Sequence, residues 1–207
     1  LNCLRYEQET YINNIREDGF KEKAIVSSII EGETPTTMAK STGLAIIELS
    51  THFENLKPDI VLTVADRFET LATAVASSYM NIPLAHTQGG EVTGNIDESV
   101  RHAITKLAHI HFPATRKANE FIVRLGEDPN SIFLTGCPAI DLVAESNLKL
   151  NKNINVLGVG GEINVENDFI LVLQHPITSE YGEGLNQINE TIKAVYKLSL
   201  EGLQVLW

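Results

Sequence analysis

Short apolar runs alternate with longer stretches of helical periodicity along most of this 207-residue chain. Continuous apolar runs are typical of buried strands, whereas apolar residues spaced three and four apart indicate helices. The predicted strands are 23–30, 60–64, 83–87, 109–114, 132–135, 169–173 and 204–207. The predicted helices are 36–56, 68–80, 97–108, 115–125, 139–144 and 185–200, with residues 1–18 as helix or loop. This alternation predicts an α/β fold with parallel sheets.

The same pattern predicts two domains. Residues 145–167 are rich in Asn, Lys and Gly and have no clear period. We therefore predict a first Rossmann-like domain over residues 1–146, a linker over 147–167 and the start of a second Rossmann-like domain over 168–207. The chain opens on a polar segment without a preceding strand and stops within a predicted strand, so we expect it to be part of a longer protein.

Composition narrows the class of protein. The net charge of −11 argues against non-specific binding to nucleic acid or to anionic membranes, although local basic residues can still bind phosphate. No apolar run is long enough to span a membrane. Cys3 and Cys137 have no CxxC spacing, which favours a reduced cytoplasmic protein and leaves a single disulfide as the alternative.

Residues 83–101 combine the features expected of a ligand site in an open α/β sheet. A predicted strand leads into a loop containing Gly89, Gly90 and Gly94, and a helix begins close to Asp97. Glycines let the backbone approach a ligand closely, and the free N–H groups of a helix N-terminus favour anions. Ligands in such folds bind beyond the carboxyl ends of the strands, so we expect this loop to border the functional site.

Polar side chains follow several predicted strands, at the ends that parallel strands share. Carboxylates can move protons, an arginine can hold a diphosphate through two parallel hydrogen bonds, and a histidine can act as acid or base. We expect one pocket to gather them, with the second domain facing the first across a cleft. The candidates are Asp66, Arg67, His86, Gln88, Glu91, Asp97, Arg101 and His175.

Each candidate also has an ordinary structural interpretation. Asp66 can cap a helix beside a solvated Arg67. Asp97 can complement the helix dipole and pair with Arg101 four residues later. From spacing alone, a functional role for His175 is no more favoured than a purely structural one. The histidines lack the short local spacing of a zinc site, so no metal is predicted, and neither a GxGxxG after a strand nor a P-loop sequence is present.

Four segments carry a longer and more specific pattern: ADRFETLATAV, NIPLAHTQGGEVTGNIDESVRHAITKLAHIHF, GEDPNSIFLTGCPAIDL and LVLQHPITSEYGE. Together they resemble the hydrolysing UDP-N-acetylglucosamine 2-epimerases, closest to the branch that serves sialic acid and related nonulosonates. The resemblance implies a GT-B-like fold, in which two Rossmann-like domains hold the sugar nucleotide in a cleft. It also implies a UDP-sugar substrate, no redox cofactor, and a dimer or larger homo-oligomer.

The resemblance also implies a reaction and roles for residues. UDP leaves C1 as the proton on C2 is removed, and water then adds to the glycal with inverted configuration at C2. By motif, Asp66, Asp97 and His175 match catalytic residues, Arg67 matches a nucleotide-side arginine and Arg101 the arginine of the same helix as Asp97. These acids and the histidine would share proton removal, leaving-group assistance and water delivery.

Two positions depart from the family pattern. The family's HGD reads VAD at residues 64–66, and its HIEGGE reads HTQGGE at residues 86–91. Gln88 therefore replaces the usual Glu, and an amide does not take a proton at neutral pH. Either Glu91 or Asp97 performs its task, or the substrate differs, or activity is reduced.

Three functions follow from these residues. The leading one is a hydrolysing 2-epimerase acting on UDP-N-acetylglucosamine or a related diacetamido sugar nucleotide. A GT-B glycosyltransferase is a second function, but the carboxylates after the glycine loop argue against it, since glycosyl transfer needs fewer acids there. A third function, suggested by Gln88, is a catalytically silent sugar-nucleotide-binding protein. The catalytic candidates are Asp66, Asp97, His175 and Glu91, and the substrate-binding candidates are Arg67, His86, Gln88 and Arg101.

Overall fold

Strands and helices alternate along the chain in the computed structural model, which describes residues 6–32, 34–147, 154–175, 180 and 182–207. Residues up to Ile140 form one unit and residues from Asp141 form a second. The elements are α1 (Tyr6–Glu17), α2 (Pro35–Leu56), β1 (Val61–Val64), α3 (Phe68–Tyr79), β2 (Leu84–Thr87), α4 (Ile96–Leu107), β3 (Ile110–Phe112), α5 (Arg116–Arg124), α6 (Pro138–Glu145), β4 (Phe169–Leu171), α7 (Gly184–Leu200) and β5 (Gln204–Leu206). The predicted α/β class with parallel strands is confirmed.

The first unit is built on a parallel sheet in the order β1-β2-β3. β2 pairs with β1 through Val61↔Leu84 and with β3 through His86↔His111. Leu84, Ala85 and His86 are all buried, as expected for a strand covered on both faces. Because the strands are parallel, β1 and β2 end at the same edge, and the chain leaves both strands beside each other there.

One face of β1 is exposed, contrary to the prediction of a strand buried on both faces. Val61 and Thr63 are buried, whereas Leu62 is 60% exposed and Val64 is 53% exposed. The physical reason is alternation along the strand: successive side chains point to opposite faces, and α3 and α2 supply the packing on only one of them.

Alanines of α3 let this helix pack closely between its neighbours. Ala74 joins Val61, Leu84 and Ile104 in the cluster against the sheet. Ala72 and Ala76 lie in a second cluster with Ala45, Leu49 and Val26, which contains residues of α2. Small side chains therefore let α3 pack closely against both the sheet and α2.

Two predicted strands take a different form. Residues 23–30 form no ladder within the described residues, although Val26 and Ser28 are buried as an alternating strand would require. The Ile30 N–H donates its hydrogen bond to the Ser41 hydroxyl and not to the carbonyl of a neighbouring strand. The predicted strand 132–135 is reduced to one parallel bridge between Ile132 and His111.

Helix α2 begins where its capping residues predict. The Thr34 side chain accepts a hydrogen bond from the Thr37 N–H at 3.1 Å, and the Thr37 hydroxyl accepts one from the Thr34 N–H, which is a complete capping box. Pro35 occupies the first helical position, where its missing N–H is not needed.

The second unit contains a strand–helix–strand arrangement. β4 and β5 pair in parallel, with Phe169 opposite Gln204 and Leu171 opposite Leu206, and α7 connects them. A short 3₁₀ turn at Ile154–Leu157 lies in the predicted linker. Among the described residues, no helix is both long and apolar enough to cross a membrane.

Candidate active site

The turn after β1 adopts a strained backbone. Ala65 has φ +60°, in the left-handed region that favours glycine, and this conformation costs an alanine about 1 kcal/mol. Ala65 stands where the HGD pattern has glycine, the residue that adopts this conformation without strain. The turn places Asp66 at the carboxyl end of β1, with its side chain 18% exposed.

Arg67, next in the chain, extends outward from this turn. Its guanidinium donates two hydrogen bonds to the Glu69 carboxylate, from Nε at 3.2 Å and from Nη2 at 3.0 Å. These bonds raise the pKa of Arg67, and the negative charges of Asp97 and Asp66 act in the same direction. The Arg67 side chain remains 65% exposed, so a positive charge is held rigidly at the surface close to two further carboxylates.

His86 supports the turn from inside the sheet. Its Nε2 lies 2.8 Å from the Ala65 carbonyl oxygen, and a carbonyl only accepts, so Nε2 carries the proton. Its Nδ1 lies 3.3 Å from the Thr105 hydroxyl of α4. The ring is fully buried, and burial lowers the pKa of His86 to about 4. His86 is therefore neutral at neutral pH and holds β1, β2 and α4 together.

This neutral histidine predicts a loss of stability in acid. The unfolded chain takes up a proton near pH 6.5, whereas the folded chain does so only near pH 4, so folding opposes protonation between these values. We expect the free energy of unfolding to fall by about 3 kcal/mol between pH 7 and pH 4 through this group. Urea denaturation across that range measures the slope, and His86→Gln is expected to flatten it; an unchanged slope in the variant would contradict the assignment.

The glycine loop after β2 is held tightly against the helices. Gly89 and Gly90 are buried, and a Cβ on Gly89 would lie 3.0 Å from both His86 Nδ1 and Thr105 Oγ1. Gly90 has φ +80°, and a Cβ there would overlap the Ala118 carbonyl of α5. The two glycines are therefore required by close backbone packing within the fold.

Gln88, in place of the family's Glu, begins this loop in a left-handed conformation with φ +58°. Its N–H donates to the Phe112 carbonyl oxygen at 3.0 Å, which extends the β2–β3 pairing. Its side-chain amide lies 3.8 Å from the sulfur of Cys137, which is a free thiol. Gln88 is half-buried, so its amide stands at the edge of the loop.

The first turn of α4 closes the loop. Asn95 caps the helix by accepting from the Glu98 N–H at 3.3 Å, and its side-chain amide donates to Asp97 at 3.1 Å. The Glu98 carboxylate accepts the N–H groups of Thr93 at 2.7 Å and Gly94 at 2.6 Å, which lowers the pKa of Glu98. Glu98 is thus a structural carboxylate, whereas the half-buried Asp97 has its carboxylate near the Arg67 charge.

Arg101 connects the two loops. Its Nη2 forms an ion pair with Asp66, and its Nη1 donates to the Glu91 carbonyl oxygen at 2.6 Å. The arginine side chain is only 6% exposed. The structural alternative in which Arg101 pairs with Asp97 is wrong, because its partner carboxylate is Asp66, in the turn after β1. The structural alternative in which Asp66 caps α3 is also wrong. The N-cap position of α3 is Arg67, and its side chain makes no capping hydrogen bond.

The first unit therefore brings together most of the predicted residues. Arg101 contacts both Asp66 and the Glu91 backbone, and the negative charge of Asp97 contributes to raising the pKa of Arg67. His175 is exposed in the second unit, so its meeting with these groups stays a prediction. Within the described parts of the chain, no three His, Cys, Asp or Glu side chains group as metal ligands would.

Sequence reasoning missed three supporting residues. Thr105 lies four residues after Arg101, so helical spacing alone signals that both face the sheet. Glu69, two residues after Arg67, is a buried carboxylate that no pattern distinguished from a solvated one. Cys137 contacts Gln88 across 49 residues of chain, and nothing in the sequence signals this contact.

Comparisons with known proteins find related sequences. Residues 8–206 match the sequence profile of a family described as UDP-N-acetylglucosamine 2-epimerase. The chain is 32% identical, over 92% of its length and 50% of the relative's, to a UDP-N,N'-diacetylbacillosamine 2-epimerase (hydrolyzing) of Legionella pneumophila. It is also 32% identical to polysialic acid biosynthesis protein P7 of Escherichia coli, over 89% of the chain and 46% of that protein.

A solved structure supports the fold. The UDP-GlcNAc 2-epimerase of Methanocaldococcus jannaschii, in complex with UDP-GlcNAc and UDP, superposes with a TM-score of 0.71 at 20% identity, over 92% of this chain and 52% of that one. This likeness confirms the GT-B-like architecture predicted from the sequence. The chain spans about half the length of the curated relatives it matches.

Proposed function

Because the chain belongs to the UDP-N-acetylglucosamine 2-epimerase family, we propose that the full-length protein is a hydrolysing 2-epimerase. Its substrate would be UDP-N-acetylglucosamine or a related UDP-acetamido sugar, and its products a free N-acetylmannosamine-type sugar and UDP. One observation carries the proposal: the partly exposed Asp66 carboxylate is fixed by a buried arginine at the rim where the exposed Arg67 also stands. A base and a diphosphate-binding cation are thus adjacent.

The reaction needs proton transfers on both faces of one sugar carbon. A base takes the proton from C2 while the C1–O bond breaks and its electron pair leaves with UDP. Water then adds across the C1–C2 double bond, its oxygen bonding to C1 and a proton arriving at the opposite face of C2. Two separately positioned acid–base groups meet this demand better than one.

The chain offers carboxylates from two different loops for these tasks. Asp66 follows β1, and Asp97 opens α4 with its carboxylate oriented by Asn95. Glu91 lies between them in the glycine loop, where Arg101 fixes its backbone. We assign proton transfer to these acids together with His175 of the second unit, and diphosphate binding to Arg67, whose exposed guanidinium has N–H groups beyond the two bonded to Glu69.

Gln88 supports a second candidate function. An amide cannot act as a base, and this one stands half-buried at the loop edge where the resembled family has a carboxylate. A protein that binds a UDP-sugar without turning it over would need the hydrogen bonds of this side chain and no proton acceptor. The two candidates differ in whether Glu91 or Asp97 replaces the missing base.

The test is to incubate the full-length protein with UDP-N-acetylglucosamine and, separately, with a UDP-diacetamido sugar, following UDP and free sugar together. We expect equal amounts of UDP and of 2-epimerised free sugar. UDP release without epimerised sugar would overturn the epimerase proposal, and tight UDP-sugar binding without turnover would establish the silent alternative.

A substitution at Gln88 locates the base. If Glu91 or Asp97 has taken over, Gln88→Glu is expected to change kcat by less than about tenfold, because the reaction already has its proton acceptor. A gain of about 100-fold or more would instead show that the native chain lacks a base at this position. Gln88→Asn, which keeps an amide but is one methylene shorter, is the control that shows how far altered packing alone changes kcat.

A further inference from the structure

The contacts of Arg101 suit a residue that holds other parts of the site in place better than one that binds the substrate. Its guanidinium is almost fully buried, its Nη2 pairs with Asp66 and its Nη1 donates to the Glu91 carbonyl oxygen. Building on the proposed function, we propose that Arg101 is a positioning residue. It fixes the Asp66 carboxylate relative to the glycine loop and does not bind the UDP-sugar.

Burial and existing partners argue against a direct contact with phosphate. Both terminal nitrogens of Arg101 are engaged, one with a carboxylate and one with a carbonyl, and such charge-assisted bonds are the strong ones. Because the Arg101 side chain is only 6% exposed, a phosphate could reach its guanidinium only by displacing one of these partners, and displacing Asp66 would break the ion pair beside a negatively charged ligand. Arg67 is 65% exposed, so it can meet the diphosphate at the surface while its Nε and Nη2 stay bonded to Glu69.

The neighbours of Arg101 on the same face of α4 also hold the loops after β1 and β2. Glu98 holds the N–H groups of Thr93 and Gly94, and Thr105 contacts the ring of His86, which in turn holds the Ala65 carbonyl. These residues recur at helical spacing, so they form one stripe facing the two loops. Arg101 stands in the middle of the stripe and bonds to both loops at once.

The chemistry of arginine explains why a bridge of this kind needs this residue. Its planar guanidinium presents N–H groups in a rigid fork, so one side chain can reach Asp66 and Glu91 in a fixed relative geometry. A lysine keeps the positive charge but presents a single nitrogen on a flexible stem. Arg101→Lys therefore preserves the charge next to Asp66 while removing the fixed link between the loops.

The deciding experiment compares Arg101→Lys with Arg101→Gln in the full-length protein, with Arg116→Lys on the exposed start of α5 as control. Concentrations are normalised to UDP-binding sites, so that unfolded protein does not count. We expect kcat to fall about 100-fold in Arg101→Lys, the effect of misplacing a reacting group by about 1 Å. KM for the UDP-sugar and Kd for UDP should change by less than about threefold, because no substrate contact is lost.

A double substitution tests whether the effect passes through Asp66. If Arg101 acts by holding that carboxylate, Arg101→Gln should lower kcat much less in an Asp66→Asn background than in the native one. Additive losses would overturn the proposal. So would a Kd for UDP raised about tenfold or more with kcat unchanged, since that is the pattern of a lost substrate contact.

A measurement without substrate separates this inference from the proposed function. Amide hydrogen exchange of residues 88–94 is expected to be faster in Arg101→Lys than in the native protein, with the core of β2 unchanged. Should the native protein turn over no UDP-sugar, the proposed reaction fails while the exchange result still decides whether Arg101 fixes the loop. Unchanged exchange in the loop would overturn the positioning role whatever the activity.

Discussion

Asp66→Asn is expected to reduce turnover of the UDP-sugar by about 1,000-fold or more, since it removes a proton-transfer group of the proposed reaction. It also leaves the buried Arg101 without a counter-charge. We expect a loss of about 2 kcal/mol in the free energy of unfolding, less than for a fully buried pair because the Asp66 side chain is 18% exposed. Steady-state kinetics and urea denaturation measure the two effects.

Asp59→Asn is the matched control for this substitution. Asp59 precedes β1 as Asp66 follows it, and its side chain is exposed. We expect the Asp59→Asn protein to differ from the native protein by no more than about 0.5 kcal/mol in the free energy of unfolding, and to turn over the UDP-sugar at the native rate. If Asp66→Asn kept turnover within about tenfold of native, Asp66 would not be a proton-transfer group.

Gly90→Ala is expected to cost about 4 kcal/mol of stability, from two separate causes. The left-handed φ of +80° costs a non-glycine residue about 1 kcal/mol. The added Cβ would overlap the Ala118 carbonyl and approach Ile122 Cγ1 to 2.8 Å, and backbone overlap of this kind adds about 3 kcal/mol. Thermal or urea unfolding of the full-length protein measures the sum.

Gly94→Ala separates the two causes. Gly94 has nearly the same φ, +79°, but a Cβ there would meet nothing within 4 Å. We expect this control to lose only about 1 kcal/mol, the conformational part. Equal losses at the two glycines would mean that the loop moves away from α5 without resistance, and that close packing is not what requires Gly90.

The sequence predicted the first unit well where local pattern decides structure. The mostly apolar run of β2 and the Thr34 cap of α2 could be predicted directly, because each depends on adjacent residues. Residues 23–30 carry an equally strong strand pattern, but a ladder needs a neighbour, and none of the described residues supplies one. The exposed face of β1 had the same origin: covering layers are a property of the whole fold.

In the candidate site, too, features set by strand topology could be predicted, whereas contacts between distant residues could not. Parallel topology alone brought Asp66 and the glycine loop to one edge of the sheet, as predicted. The partner of Arg101 could not be read, because the helical neighbour Asp97 was the obvious choice and the actual partner lies 35 residues away. The burial and neutral state of His86 likewise depend on Thr105 and on the β1 turn, which come together only in three dimensions.

The spacing of the α4 contacts restricts how this segment can change during evolution. One inserted or deleted residue between Asn95 and Thr105 would rotate the later side chains by about 100° about the helix axis. Glu98, Arg101 and Thr105 could then no longer all face the two loops at once, whereas a substitution removes only the bonds of one side chain. Homologous chains that keep the site should therefore vary here in residue type while conserving the number of residues.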